Sequence, residues 1–110
     1  MIGAVGAAST TVEDSTPTRP RNVTAERVTP TNGKIRFDPA RARGAKVRRY
    51  KAYCRDTRKN SDFWAWASDD ESPLILRGLQ PGYRYECAVR ARSRAGWGPA
   101  ARVTLPRKPS

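Results

Sequence analysis

The stretch LQPGYRYECAVRA, residues 79–91, is the most informative part of this sequence. Its Pro81-Gly82 pair is a strong turn signal. After the turn, apolar and polar side chains alternate from Tyr85 to Ala91, with the period of a β-strand that buries one face. The stretch therefore predicts a turn that leads directly into a strand.

The rest of the chain, from Pro20 onward, has the same character. Short alternating runs are separated by turn residues about every 8 to 12 positions, and no run has the period of a helix. A chain of 110 residues has room for one domain. We therefore predict an all-β sandwich of seven strands in two antiparallel sheets. The predicted strands lie at residues 23–25, 34–37, 47–54, 62–67, 73–76, 85–91 and 102–105.

The two ends of the chain differ from its middle. Residues 1–18 are small and rich in Ser and Thr, so we expect a flexible, extended N-terminal arm. The arm lacks the positively charged start of a signal peptide, and we expect no export signal. Residues 19–106 form the predicted domain, and residues 107–110 are a short basic tail.

The chain is strongly basic, with 22 Lys and Arg against 10 Asp and Glu, no His, and a formal net charge of +12. Such a charge favours an anionic partner. No apolar run reaches the length of about 18 residues that a membrane span needs, so no membrane partner is expected. Two Cys without a His do not supply the ligands of a structural zinc site. We expect no metal and no cofactor.

Three motifs resemble the fibronectin type III family. The first strand of that family is similar to PRNVTA at residues 20–25, and its Gly-rich hairpin is similar to AGWGP at residues 95–99. Its Leu-x-Pro-Gly-Thr-x-Tyr turn is similar to residues 79–85. The resemblance covers residues 19–106 and implies that a tyrosine hydroxyl closes the turn by a bond to the backbone. The implied structural corner consists of Leu79, Pro81, Gly82 and Tyr85.

The chain departs from the family pattern at two points. The second strand of the family carries a core Trp, where this sequence has Phe37. Phenylalanine fills most of that volume, so the departure affects the fine packing more than the fold. The integrin-binding Arg-Gly-Asp sequence is absent, so the resemblance does not imply integrin binding.

The family topology makes the third and sixth strands antiparallel neighbours. If Tyr50 faces Ala91, then Cys54 faces Cys87, and both thiols point into the core. Opposed positions allow a disulfide with a small adjustment of the backbone. Two buried free thiols that act as small apolar side chains fit the same pattern. The sequence leaves both states open.

The same register predicts a basic face on the outer side of the sheet. Two of its cross-strand pairs join like charges, which disfavours the sheet unless something compensates, and an anionic partner would do so. One alternative is that Trp97 stacks over Arg90 and Arg92, as in the ladder of cytokine-receptor sandwiches. Another is plain solvated charge. The predicted face consists of Arg49, Lys51, Arg55, Arg90, Arg92, Arg102 and Trp97.

Phe63, Trp64 and Trp66 form a candidate aromatic contact site. In a strand, the two tryptophans share one face and Phe63 lies on the other. Either one set packs on the core and the other is exposed as a contact site, or one Trp covers the rim of the sandwich. The acidic run at residues 69–71 is either a solvated loop or a contact for the basic face of another copy.

The sequence argues against an enzyme. Without histidine, the usual general base near neutral pH is missing. Both cysteines are predicted to point inward, so neither is an obvious nucleophile. The carboxylates gather in one loop and in the arm, and no pair of them is placed across a cleft. No catalytic residue is predicted.

We therefore expect a non-enzymatic structural or interaction module. The leading hypothesis is a bacteriophage virion protein, either a capsid decoration or a tail-associated protein, whose arm and basic face bind an acidic protein lattice. Other copies of the chain are a further possible partner. One alternative is a basic sandwich that binds nucleic acid. Another is a secreted or cell-surface bacterial module for adhesion or for association with carbohydrate. The corresponding locations are the virion or the cell surface.

Overall fold

Eight β-strands and no helix occur in the part of the chain that the computed structural model describes, residues 15–58 and 63–107. The strands are β1 (Arg21–Thr29), β2 (Asn32–Asp38), β3 (Arg49–Asp56), β4 (Trp64–Asp69), β5 (Leu74–Leu76), β6 (Tyr85–Ser93), β7 (Gly96–Trp97) and β8 (Ala101–Leu105). They form the predicted all-β fold of two antiparallel sheets.

A three-stranded sheet has the order β1-β2-β5, and a five-stranded sheet has the order β4-β3-β6-β7, with β8 also paired to β6. The structure has one strand more than predicted. The extra strand is β7, whose Trp97 lies opposite Arg92. Pro99, which has no backbone N–H to donate, separates β7 from β8 along the same edge of β6.

The core lies between the two sheets, because the apolar side chains of each strand point toward the opposite sheet. On β6 the inward side chains include Tyr85 and Val89, both fully buried. The opposite sheet contributes Ile35 and Phe37. Phe37 takes the place expected for a core Trp, and its ring centroid lies 4.7 Å from that of Tyr50.

Strands β3 and β6 have the predicted register, with Tyr50 opposite Ala91 and Cys54 opposite Cys87. The two cysteine sulfurs are bonded, with an S–S distance of 2.06 Å. Of the two states that the sequence allowed, the structure has the disulfide. It joins the two central strands of the larger sheet from the core side.

The turn before β6 has the tyrosine corner that the resemblance implied. The backbone N–H of Gln80 donates a hydrogen bond of 2.8 Å to the hydroxyl of Tyr85. Leu79 is buried, and its N–H donates to the carbonyl of Thr31 at 2.9 Å. Gly82 has φ of 84°, a conformation that favours glycine.

Arg27 fastens this corner to β1. The residue is only 6% exposed, and its guanidinium carbon lies 5.4 Å from the centroid of the Tyr85 ring. Burial lowers the pKa of Arg27 from its ordinary value, although the nearby tyrosine opposes this effect. The guanidinium donates to four backbone carbonyls, those of Pro30, Gln80, Tyr83 and Pro106.

A second arginine lies beside the same corner. Arg58 donates two hydrogen bonds to the buried carboxylate of Asp56, at 2.9 and 2.7 Å. The bond to Asp56 raises the pKa of Arg58. Its guanidinium also lies 3.8 Å from the centroid of the Tyr83 ring. The Arg58 and Arg27 contacts together hold the turn after β5 in place.

The first hairpin turns two residues earlier than its sequence suggests. The Asn-Gly pair at residues 32–33 is a strong turn signal, but the turn is at Pro30 and Thr31. Gly33 lies in β2 instead. A Cβ atom there would come within 2.8 Å of the Leu105 side chain, so the glycine serves a close approach in the core.

Part of the predicted arm packs against the domain. Pro17 is fully buried, and a Cβ atom on Gly98 would lie 2.2 Å from the carbonyl oxygen of Pro17. At Pro17, the predicted arm is therefore in contact with the domain. The remainder of the arm, residues 1–14, and residues 108–110 of the basic tail lie outside the described residues.

Candidate functional site

The outer face is the side of the five-stranded sheet that points away from the core. Alternation along β3 and β6 places every second side chain there, and the strand register brings them into rows. The outer face consists of Arg49, Lys51, Tyr53 and Arg55 on β3, Trp64 and Trp66 on β4, Glu86, Ala88, Arg90 and Arg92 on β6, Trp97 on β7, and Arg102 and Thr104 on β8.

Positive charge dominates the outer face. Arg49 lies opposite Arg92, and Lys51 lies opposite Arg90, so two rows place cations side by side. Glu86 is the one acidic side chain that these strands place there, within the described residues. Its contact with Arg55 is 3.8 Å long between exposed side chains, and such a pair contributes little to stability.

Two of the cations stack on tryptophans. The guanidinium carbon of Arg92 lies 5.8 Å from the centroid of the Trp97 ring. Lys51 Nζ lies 5.2 Å from the ring centroid of Trp66. The predicted ladder on Trp97 thus includes Arg92. Arg90 has a buried Nε without a hydrogen-bond partner among the described residues.

Trp64 and Trp66 also lie on the outer face, 54% and 65% exposed. Trp66 is opposite Tyr53, and the ring centroids of Tyr53 and Trp64 are 6.3 Å apart. Phe63 lies apart from them and packs edge-on against the Tyr85 ring at 6.0 Å. The structure therefore joins the two tryptophans to the basic face and separates Phe63 from both. Neither tryptophan packs into the core.

A hollow of about 430 Å³ opens at the centre of the outer face. Its floor is Ala88, which is buried although its side chain points outward. Ala88 lies between Tyr53 on one neighbouring strand and Arg102 on the other, so a small residue separates two long ones. Trp64, Arg55 and Glu86 also line it. Aromatic rings, cations and one carboxylate thus surround the hollow.

The sequence predicted the cations of this face but not its combination with the tryptophans. Alternation places Trp64 and Trp66 on the same side of the sheet, but it does not show whether that side is the core or the outer face. The two alanines between and after them, Ala65 and Ala67, are a signal that could have decided this. Small inward residues leave the large ones to point outward.

The described residues hold no group of three or more side chains that could bind a metal ion. In the same part of the chain, no helix is long and apolar enough to cross a membrane. The chemistry that the outer face offers is stacking, apolar contact and attraction of negative charge.

The family model of the fibronectin type III domain matches residues 18–106. Among solved structures, the third fibronectin III domain of the human KIAA0343 protein is 24% identical, with a TM-score of 0.72 and coverage of 96% of this chain and 94% of that one. The fn3 domain of human collagen alpha-1(XX) chain is 22% identical, with a TM-score of 0.64 and coverage of 96% and 95%. No curated protein has a significantly similar sequence.

Domains A168–A170 from titin match with 17% identity and a TM-score of 0.70 over 96% of this chain. The chain spans 32% of that titin fragment. At these identities, the likeness to the solved structures concerns the fold alone.

Proposed function

The chain belongs to the fibronectin type III family, and from this we propose that it is a non-enzymatic module that binds an acidic protein surface through its outer face. Domains of this family are generally non-catalytic and mediate contacts between proteins. On this chain, we propose that the outer face makes such contacts.

The observation that carries the proposal is the exposure of Trp64 and Trp66 beside Tyr53 and the arginines of the same face. Tryptophan, tyrosine and arginine are the residues enriched at the energetic centres of protein interfaces. Two tryptophans that are more than half exposed otherwise leave a large apolar surface in water. An interface that covers both would remove that surface.

The charge of the face defines the partner. The six cations of the outer face oppose one carboxylate, and the like-charge rows are relieved when negative groups lie over them. An acidic protein surface supplies such groups and also gives the tryptophans an apolar contact. The acidic run at residues 69–71 makes a second copy of the chain another partner of this kind.

We place this function in a bacteriophage virion, where the partner is the capsid or tail lattice. The basic charge of the chain and the use of such sandwiches as attachments on particles support this step, the second by analogy of fold. Mass spectrometry of purified particles of the parent phage tests it. The chain is expected in a fixed ratio to the lattice protein, and its absence would reject the virion location.

Binding of variants to those particles tests the face itself. Replacing both tryptophans in W64S/W66S should weaken binding about thirtyfold or more, since a central interface residue is worth about 2 kcal/mol. The matched control is V28S, which changes an exposed apolar residue (41% exposed) on the other sheet. If W64S/W66S binds like V28S, the outer face is not the interface.

A second candidate function is binding of single-stranded nucleic acid. It is favoured by one observation. The exposed rings of Trp64 and Trp66 share a sheet surface with the half-buried Tyr53 and with cations, and bases stack on such surfaces. Fluorescence anisotropy with an oligothymidine and a random duplex, at about 50 and 200 mM salt, separates the two candidates. If the single strand still binds tightly at the higher salt, nucleic acid and not a protein is the partner of the outer face.

A further inference from the structure

A second basic surface lies where the segment before β1 and the first residue of β1 meet the loop after β2, next to the loop between β7 and β8. It forms a hollow of about 540 Å³, which we call the arginine hollow. Four of the six residues around it are arginines, two from residues 19–21 and two from the loop after β2. The lining residues are Thr18, Arg19, Arg21, Arg41, Arg43 and Pro99.

Backbone hydrogen bonds hold the two sides of the arginine hollow together. The N–H of Ser15 donates to the carbonyl of Arg43 at 2.8 Å, and the N–H of Thr18 donates to the carbonyl of Arg41 at 3.1 Å. In return, the N–H of Arg41 donates to the Thr18 hydroxyl at 2.8 Å. Arg19 Nε donates to the carbonyl of Ala100 at 3.0 Å. The bonds at Arg41 and Arg43 use only the main chain of those arginines, so they fix where the two residues lie without using their side chains.

The arginine hollow has no carboxylate in its lining. The two ion pairs found among residues 15–58 and 63–107 involve Arg55 and Arg58, neither of which belongs to the hollow. All four of its arginines are exposed. Gathering four like charges costs electrostatic energy that an anion at their centre would reverse.

We propose that the arginine hollow is a binding site for a phosphate or sulfate group. A guanidinium offers a planar fork of donors that matches two oxygens of such a group. A tetrahedral oxyanion has enough oxygens to accept from forks on both sides of the hollow, whereas a carboxylate has two. No aromatic side chain lines the hollow, so a base or a sugar ring finds no stacking surface there.

This site is independent of the outer face. It uses other residues and a different chemistry, which is recognition of one oxyanion and not coverage of exposed tryptophans. A variant of the hollow leaves Trp64 and Trp66 unchanged, and W64S/W66S leaves the hollow unchanged. Each proposal can therefore fail without the other.

NMR of the arginine Nε–Hε groups tests the proposal, with inorganic pyrophosphate, sulfate and citrate as probes. The titrations are run in about 0.1 M NaCl, where the Debye length is about 10 Å. Pyrophosphate or sulfate should give saturable shifts at Arg19, Arg21, Arg41 and Arg43. Preference for pyrophosphate identifies a phosphate site, and preference for sulfate identifies a sulfate site. Citrate that binds as tightly as both would contradict a site for tetrahedral oxyanions.

The variant R41A/R43A should weaken the binding at least about tenfold, because hydrogen bonds to charged groups are the strong ones. It keeps the backbone bonds of both residues. The matched control R77A/R84A also removes two cations, but from the turn beside Thr31, at the other end of β2. An equal loss in the control, or shifts spread evenly over all arginines without saturation, would overturn the proposal.

Discussion

Replacing Arg27 by methionine should destabilise the domain by about 3 kcal/mol. The side chain is buried, and its guanidinium donates to four carbonyls that belong to three separate parts of the chain. Methionine has a similar length and no donor, so all four bonds are lost. Each bond to a charged donor is worth about 1.5 to 3 kcal/mol, and water at the rim of the corner recovers part of the loss.

The burial that lowers the pKa of Arg27 is a cost that methionine avoids, which also keeps the net effect below the full value of the bonds. Lysine keeps the charge but reaches fewer of the carbonyls, so R27K should cost about half as much as R27M. Both variants keep the length of the side chain close to that of arginine. The difference between them therefore reports the bonds and not the volume.

Urea unfolding followed by tryptophan fluorescence measures this effect. With a slope of about 1.5 kcal/mol per molar, R27M should lower the midpoint by about 2 M. The matched control is R36M, which removes the same charge from an exposed position on β2 and should stay within about 0.5 kcal/mol of the wild type. If R27M falls within about 1 kcal/mol of R36M, Arg27 does not hold the corner together.

Three further outcomes are expected. The variant C54A/C87A should lose about 3 to 4 kcal/mol in urea unfolding, because the disulfide closes a loop with a sequence separation of 33, and an unchanged midpoint would contradict this. In G98A, a Cβ atom 2.2 Å from a carbonyl oxygen of the N-terminal segment should displace that segment, which hydrogen exchange at residues 15–18 would detect. Added salt should stabilise R49S less than R36S. Salt screens the repulsion between Arg49 and the opposite Arg92, which R49S lacks and R36S keeps, whereas Arg36 lies opposite a threonine.

The fold was predictable because alternation and turn signals agree with each other along most of the chain. The inward positions of β3 and β6 can be read from their period of two, and a shift of one residue would expose every apolar side chain. The period does not show which residues face each other. The pairing of Cys54 with Cys87 was implied by the family topology, with Tyr50 opposite Ala91, and the structure has that register. Whether they are bonded did not follow, since free and bonded cysteines have the same burial pattern.

Arg27 was missed, although a signal for it exists. Val23, Ala25 and Arg27 occupy alternate positions of β1, so the period places an arginine on the core side. Its partners could not be predicted, because they are backbone carbonyls of distant turns and carry no sequence signature. The arginine hollow was missed for the same reason, since main-chain bonds between residues 15–18 and 41–43 bring its two sides together.

The disulfide and the outer face act on the same two strands from opposite sides. Cys54 and Cys87 join β3 to β6 in the core, and the two rows of like charge lie three and five residues further along the same pair of strands. Without a ligand, those rows oppose the pairing that the disulfide enforces. A sheet closed by a covalent bond keeps its cations together in water, so the anionic partner proposed above would meet an outer face that is already formed. The binding energy is then not reduced by the cost of bringing the charges together.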